Sequence, residues 1–189
     1  MEDIVFFDID TQYSFMHKKG RFYVKGAEKI IPNLKRITQF AKEKSISVIA
    51  SMDNHKMPGQ EKIKETRFSN AFSIPNRKLS DKKIKRLREK NRLLIEKQKH
   101  DVFSNPNTKK LLQSVKKAFV YGVATDSCVK EAVLGLREMG IETYVVIDAI
   151  RSTSKDNEKK YIVLFKKKGA KFLTTSQLLK IDNLLSITH

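Results

Sequence analysis

Three residues have side chains that could take part in hydrolysis. Each of them follows a short segment with the apolar pattern of a strand. Asp10 follows the first such segment, Lys97 the third and Cys128 the fourth, and Cys128 also stands at the start of a predicted helix. A helix start and a nearby ammonium group both favour a nucleophilic thiolate, and a carboxylate can carry its proton. The residue types alone leave an alternative open, since a single Cys is often a small buried apolar side chain and a single Lys a surface residue.

Strand-like and helix-like segments alternate along the chain. The predicted strands are 4–7, 46–52, 93–95, 118–123, 143–147 and 172–173. The predicted helices begin after Gly26 and Ser80, lie around Leu111, span about 126–139, and end before Gly169. This order predicts an α/β fold, a three-layer α-β-α sandwich with a central parallel sheet, in which functional groups collect at the carboxyl ends of the strands. We expect one domain, residues 1–189, and the segment 54–91 to be its least regular part.

The chain has 189 residues and a formal net charge of +18, from 39 Lys and Arg against 21 Asp and Glu. A polyanion such as nucleic acid is one partner that would suit this charge, and a solvated, lysine-rich surface is the other explanation. The most basic stretch, Arg77 to Lys99, holds eleven Lys or Arg residues but no aromatic residue on which bases could stack. We therefore favour the solvated surface and do not expect a nucleic acid partner.

Cysteine content and hydropathy exclude several classes of protein. The one cysteine rules out an intramolecular disulfide and a cysteine-rich zinc site. No apolar run approaches the roughly 18 residues of a membrane span. The first residues, Met1-Glu2-Asp3, are acidic where a signal peptide is basic, so we expect a cytoplasmic protein without membrane contact.

Two motifs resemble the isochorismatase-like cysteine hydrolases, a superfamily that includes nicotinamidases, pyrazinamidase and N-carbamoylsarcosine amidase. Residues 10–15 (DTQYSF) are similar to the D-x-Q-x-D-F opening of that family, with Ser14 in place of its acidic residue. Residues 122–129 (GVATDSCV) are close to its G-V-A-T-D-x-C-V nucleophile turn, the most specific of these signals. Glu96-Lys97 followed by residues 101–103 (DVF), and residues 144–152 (YVVIDAIRS), match as well, so that the resemblance extends from about Ile4 to Leu179.

The resemblance implies a Rossmann-type layout and a catalytic triad. In this family Asp10 would be the general base and acid, Lys97 the cation beside it, and Cys128 the nucleophile. The family also has a cis peptide bond at the position between Val123 and Ala124, which directs the N–H groups of Ala124 and Cys128 at the developing oxyanion. Phe15 would form a wall of the substrate pocket.

The resemblance also implies a metal site, but only some of its ligands are present. Asp53-Asn54-His55 resembles the D-x-H metal motif of nicotinamidases, in which a further His completes the site for a divalent ion such as Zn, Fe or Mg. The segment that carries this further His is shortened here, and no other His lies between His55 and Lys97. His100 would replace it only if its loop turned inward, and a solvated His100 is the alternative. We expect Asp53 and His55 to share a cavity but to bind metal weakly or not at all.

These features together predict a nicotinamidase-like amidase that cleaves a small amide through a Cys thioester intermediate. The family commonly forms dimers or tetramers, which implies a homo-oligomer here. The alternative is a catalytically silent hydrolase scaffold that binds nucleic acid or another polyanion through its basic surface.

Overall fold

A seven-stranded sheet forms the centre of the computed structural model, which describes residues 3–180. The strands are β1 (Ile4–Ile9), β2 (Ser47–Asp53), β3 (Phe72–Ile74), β4 (Arg92–Lys97), β5 (Lys117–Val123), β6 (Glu142–Arg151) and β7 (Lys171–Leu173). They lie in the order β3-β4-β2-β1-β5-β6-β7, and every neighbouring pair is parallel. The predicted parallel sheet is therefore confirmed.

Helices cover both faces of the sheet. The α-helices are α1 (Tyr13–Met16), α2 (Ile31–Glu43), α3 (Asp81–Arg88), α4 (Thr108–Leu111), α5 (Cys128–Glu138), α6 (Lys155–Lys167) and α7 (Thr175–Leu178). Helices α2 and α7 contribute buried residues to the apolar core on one face, and α3 to α6 contribute to the core on the other. This arrangement confirms the three-layer α-β-α sandwich. None of the helices within residues 3–180 is long and apolar enough to cross a membrane.

The central strand β1 is buried on both of its faces. Val5, Phe7 and Ile9 point into one core, and Ile4 and Phe6 point into the other. This explains why its residues 4–7 are a continuous apolar run rather than an alternation of apolar and polar residues.

The edge strand β3 was missed by the sequence analysis. It has three residues, Phe72–Ile74, inside the segment that we predicted to be irregular, and it pairs with β4. Phe72 and Ser73 are exposed and only Ile74 is buried, so this edge strand carries no period that distinguishes it from a loop. Strand β6 is longer than predicted and ends at Arg151.

A buried ion pair attaches the segment between β2 and β3 to the sheet. Lys62 Nζ lies 2.9 Å from Asp8 Oδ2, with 5% and 1% of the two side chains exposed. The Thr11 hydroxyl donates a hydrogen bond to the other oxygen of Asp8 at 2.8 Å. Burial raises the pKa of Asp8, and the Lys62 ammonium opposes that rise.

We expect Lys62→Met to lower the free energy of unfolding by about 3–5 kcal/mol, because it leaves the buried Asp8 carboxyl without its counter-ion. The measurement is urea unfolding of the full chain. Lys110→Met is the matched control: it removes the exposed Lys110–Asp81 pair, and such pairs contribute about 0–1 kcal/mol. Equal losses in the two variants would contradict a special contribution from the buried pair.

Candidate active site

The three predicted catalytic side chains meet at the carboxyl edge of the sheet. Asp10 follows β1, Lys97 is the last residue of β4, and Cys128 is the first residue of α5, directly after the loop that follows β5. Lys97 Nζ lies 2.7 Å from Asp10 Oδ2 and 3.6 Å from Cys128 Sγ. Asp10 and Lys97 are completely buried, and Cys128 is 7% exposed. One ammonium group therefore contacts both a carboxylate and a thiol inside the protein.

Ser51 holds the second oxygen of the Asp10 carboxylate, and the sequence analysis did not identify it. Its hydroxyl donates to Asp10 Oδ1 at 2.6 Å, and the Asp10 N–H donates back to the same hydroxyl oxygen at 3.2 Å. Asp10 has a φ of 47°, an uncommon conformation for a residue with a side chain. The carboxylate is thus fixed between the Ser51 hydroxyl and the Lys97 ammonium.

The electrostatics of Cys128 differ from what its place at a helix start predicts. Burial and the Asp10 carboxylate raise the pKa of the thiol to about 12, and the Lys97 ammonium opposes them only in part. Burial lowers the pKa of Lys97, but Asp10 and Cys128 more than compensate, so that its pKa is raised. These effects favour a neutral Cys128 thiol beside the Asp10–Lys97 ion pair, whereas the helix start and the nearby Lys were expected to favour the thiolate.

The loop between β5 and α5 leaves two backbone N–H groups available. The peptide bond between Val123 and Ala124 is cis. Gly122 has a φ of 118°, and a Cβ there would lie 2.0 Å from the carbonyl oxygen of Ile9, so only glycine lets the two strands approach this closely. Within residues 3–180, the N–H groups of Ala124 and Cys128 donate no hydrogen bond.

A cavity of about 390 Å³ opens over Cys128. Its apolar walls include Phe15, as predicted, together with Phe22 and Val24. Its polar lining comprises Asp53, His55, His100, Ser127, Cys128 and Thr153. The volume lies in the range that suits a small-molecule ligand.

Asp53 and His55 share this cavity, as predicted, and they pair with each other. His55 Nε2 lies 3.0 Å from Asp53 Oδ1. The Gln12 side chain fixes the backbone there, because it accepts a hydrogen bond from the Asp53 N–H at 2.7 Å and donates one to the Asp53 carbonyl at 3.0 Å. His100 is exposed but also lines the cavity, a position that the sequence analysis had not favoured.

The structure places two candidate ligands for a metal ion, Asp53 and His55, but no complete site. In the part of the chain that the structure describes, no group of three or more His, Cys, Asp or Glu residues is placed to hold one. Burial raises the pKa of Asp53, which disfavours the charged form that a metal ligand requires, although Lys97 lowers it.

We expect the purified protein to contain much less than one equivalent of zinc, iron or magnesium after dialysis against a chelator. The physical reason is that Asp53 and His55 supply two protein ligands, which leaves a weak site. Elemental analysis checks this, with His55→Ala as the control for metal bound elsewhere. A full equivalent that is lost in His55→Ala would show that a further ligand completes the site.

Comparison with known proteins identifies the family. The family model described as Isochorismatase domain matches residues 5–177, nearly the whole chain, and the protein therefore belongs to the isochorismatase family of hydrolases. No curated protein matches this sequence.

Solved structures share the fold at low sequence identity. Pyrazinamidase of Pyrococcus horikoshii, solved with zinc, superposes with a TM-score of 0.72 at 21% identity, covering 92% of this chain and 99% of the other. The nicotinamidase of Staphylococcus aureus gives 0.71 at 18% identity, covering 91% and 99%. The MAR1 ribonuclease of Caenorhabditis elegans gives 0.71 at 21% identity, covering 93% and 79%.

Proposed function

We propose that this protein hydrolyses a small amide through a covalent thioester on Cys128. The observation that carries the proposal is the buried Lys97 ammonium, which contacts both the Asp10 carboxylate and the sulfur of Cys128, the residue of the three that lines the cavity. A base, a cation and a nucleophile in mutual contact are what covalent acyl transfer requires.

The reaction begins with transfer of the thiol proton from Cys128 to Asp10. The sulfur attacks the amide carbonyl carbon, and the carbonyl oxygen becomes an oxyanion that the free N–H groups of Ala124 and Cys128 can bind. Asp10 then gives its proton to the leaving nitrogen, the C–N bond breaks, and ammonia or an amine departs. Water attacks the thioester with Asp10 as the base, and the acid product leaves as the proton returns to sulfur.

The neutral resting thiol is compatible with this route. Before the transfer, the site holds the Asp10 carboxylate, the Lys97 ammonium and a neutral thiol, and its net charge is zero. After the transfer, it holds a protonated Asp10, the Lys97 ammonium and a thiolate, and its net charge is again zero. Proton transfer from Cys128 to Asp10 therefore changes no net charge in a buried site, where an uncompensated charge is costly.

The cavity supports an amide whose acyl part is flat and apolar. Phe15 and Phe22 lie near each other, with ring centroids 6.0 Å apart, and both line the cavity. The pyrazinamidase and nicotinamidase structures with the same fold make aromatic carboxamides the first compounds to test. Because Asp53 and His55 supply only two candidate ligands, the proposed reaction assigns a metal no part in holding the substrate.

An ammonia-release screen tests the proposal. The full chain is incubated with nicotinamide, pyrazinamide, carbamoyl compounds and simple aliphatic amides, with and without added divalent metal. We expect release from at least one amide without added metal. Release from none of them under either condition would contradict the proposal.

A second candidate function is polyanion binding by a silent scaffold, which the net charge of +18 favours. The likeness in fold to a ribonuclease makes RNA the polyanion to test. Binding that falls steeply with salt, together with no amide turnover, would support this candidate.

A further inference from the structure

A second cavity, of about 740 Å³, adjoins the active-site cavity and has a strongly cationic lining. We refer to it as the basic cavity. Its cationic side chains are Lys18, Lys25, Lys29, Arg151 and Lys155. Among the residues described, a single carboxylate, that of Glu28, lines it, and this carboxylate accepts a hydrogen bond from the Tyr23 hydroxyl at 2.5 Å.

The four lysines of the basic cavity are exposed, and Lys18 and Lys29 interact electrostatically with Glu28. None of the four forms an ion pair within residues 3–180. Like charges around one cavity repel one another, and an anion bound among them removes that cost.

Arg151 lines the basic cavity and is held there by a hydrogen bond to the backbone. Its Nε donates a hydrogen bond to the carbonyl of Lys25 at 3.2 Å, and a Cβ at Gly26 would lie 3.1 Å from the guanidinium. Its Nη1 lies 3.9 Å from Glu158. The N-terminus of the thirteen-residue helix α6 faces the same cavity through Ser154 and Lys155, and its partial positive charge adds to that of the side chains.

The two cavities share one wall. Thr153 lines both of them, and Asp126 holds it in place by accepting hydrogen bonds from its N–H, at 3.1 Å, and from its hydroxyl. The segment 22–25 also separates the two cavities. Phe22 and Val24 line the active-site cavity, and Tyr23 and Lys25 line the basic cavity. The two cavities therefore meet at Thr153, and a ligand that occupies both has to extend past this side chain.

We propose that the basic cavity binds a phosphate group of the substrate, so that the substrate is a small phosphorylated amide. This rests on the proposed function, because the amide would lie over Cys128 while the phosphate lies among the lysines. A phosphate monoester carries close to two negative charges and several acceptor oxygens, which suit ammonium, guanidinium and hydroxyl groups.

The first test measures binding of inorganic phosphate to the full chain by calorimetry at constant ionic strength. The double variant Lys25→Gln/Lys29→Gln is compared with Lys166→Gln/Lys167→Gln, which removes the same charge at the far end of α6, about 18 Å along the helix. We expect the first variant to lose at least about tenfold in affinity, because charged hydrogen bonds are lost, and the second to lose much less. Equal losses, or no saturable binding to the wild type, would overturn the proposal.

The second test separates the anion site from the amidase reaction. Nicotinamide mononucleotide and nicotinamide riboside carry the same carboxamide and differ in one phosphate. We expect a higher kcat/KM for the phosphorylated amide, and loss of that preference in Lys25→Gln/Lys29→Gln. Equal rates on both amides would overturn the substrate class. Phosphate binding without turnover of any amide would contradict the amidase function but would leave the anion site standing.

An RNA oligonucleotide tests the remaining alternative, a diffuse polyanion surface. If its affinity fell equally in both double variants, the small-ligand site would be overturned in favour of that surface.

Discussion

Replacing Cys128 with alanine is expected to lower the turnover of a cleaved amide by about 10⁴- to 10⁶-fold, as removal of a covalent nucleophile does in other hydrolases. The Cys128 sulfur is 3.6 Å from Lys97 Nζ and faces the cavity, and it is the one thiol in the chain. Steady-state ammonia release measures the loss in kcat.

The controls for Cys128→Ala are substrate binding and folding. The truncation removes a single sulfur atom beside the cavity, so calorimetry should still detect the amide and the free energy of unfolding should change little. The double variant Asp10→Asn/Cys128→Ala should be no slower than Cys128→Ala alone, because both residues act in one mechanism. A variant that kept most of its activity would rule out the thioester route.

The meeting of Asp10, Lys97 and Cys128 was predictable from the sequence because it depends on strand direction. Each follows or ends an apolar segment, and the alternation of strands with helices makes the sheet parallel, so the three strand ends lie at one edge. The resemblance to the family assigned each residue a chemical role, which stays a prediction, and the structure shows the three side chains in contact at 2.7 and 3.6 Å.

The pKa of Cys128 could not be predicted from the sequence. It depends on the burial of the thiol and on its distances to Asp10 and Lys97, which motif spacing does not give. A helix start and a neighbouring Lys favour the thiolate, whereas burial and the distance to Asp10 favour the thiol, and only the folded arrangement shows that the second pair of effects is larger. The same holds for Ser51, whose hydrogen bond to Asp10 joins residues 41 positions apart.

Polar pairs between residues far apart in the sequence could not be predicted either. Asp8 lies inside an apolar strand, and its partner Lys62 belongs to a segment with no recognisable period. Strand β3 was missed for a related reason, because three residues with two exposed side chains show no alternation. Both features are decided by tertiary packing rather than by local propensity.

Asp10→Asn is expected to abolish amide turnover and, at the same time, to make Cys128 react faster with iodoacetamide at neutral pH. Turnover is lost because no base remains to move the thiol proton. The thiol becomes more reactive because the Asp10 carboxylate raises the pKa of Cys128, and asparagine removes that charge. Lys97 is then a buried cation without its carboxylate partner, and a thiolate is the counter-ion within reach. Each unit by which the pKa falls increases the thiolate fraction about tenfold, so we expect at least that increase in the alkylation rate.

The pH dependence of alkylation distinguishes this effect from a merely loosened site. In the wild type, with a pKa of about 12 for Cys128, the rate should still rise at alkaline pH, whereas in Asp10→Asn it should level off at a lower pH. Asp53→Asn is the matched control, since Asp53 lines the same cavity and lies near Lys97 but is not among the largest contributors to the pKa shift of Cys128. Its alkylation profile should follow that of the wild type. If Asp10→Asn also followed the wild type, Asp10 would not be the group that keeps Cys128 protonated, and its assignment as the base that takes the thiol proton would fail.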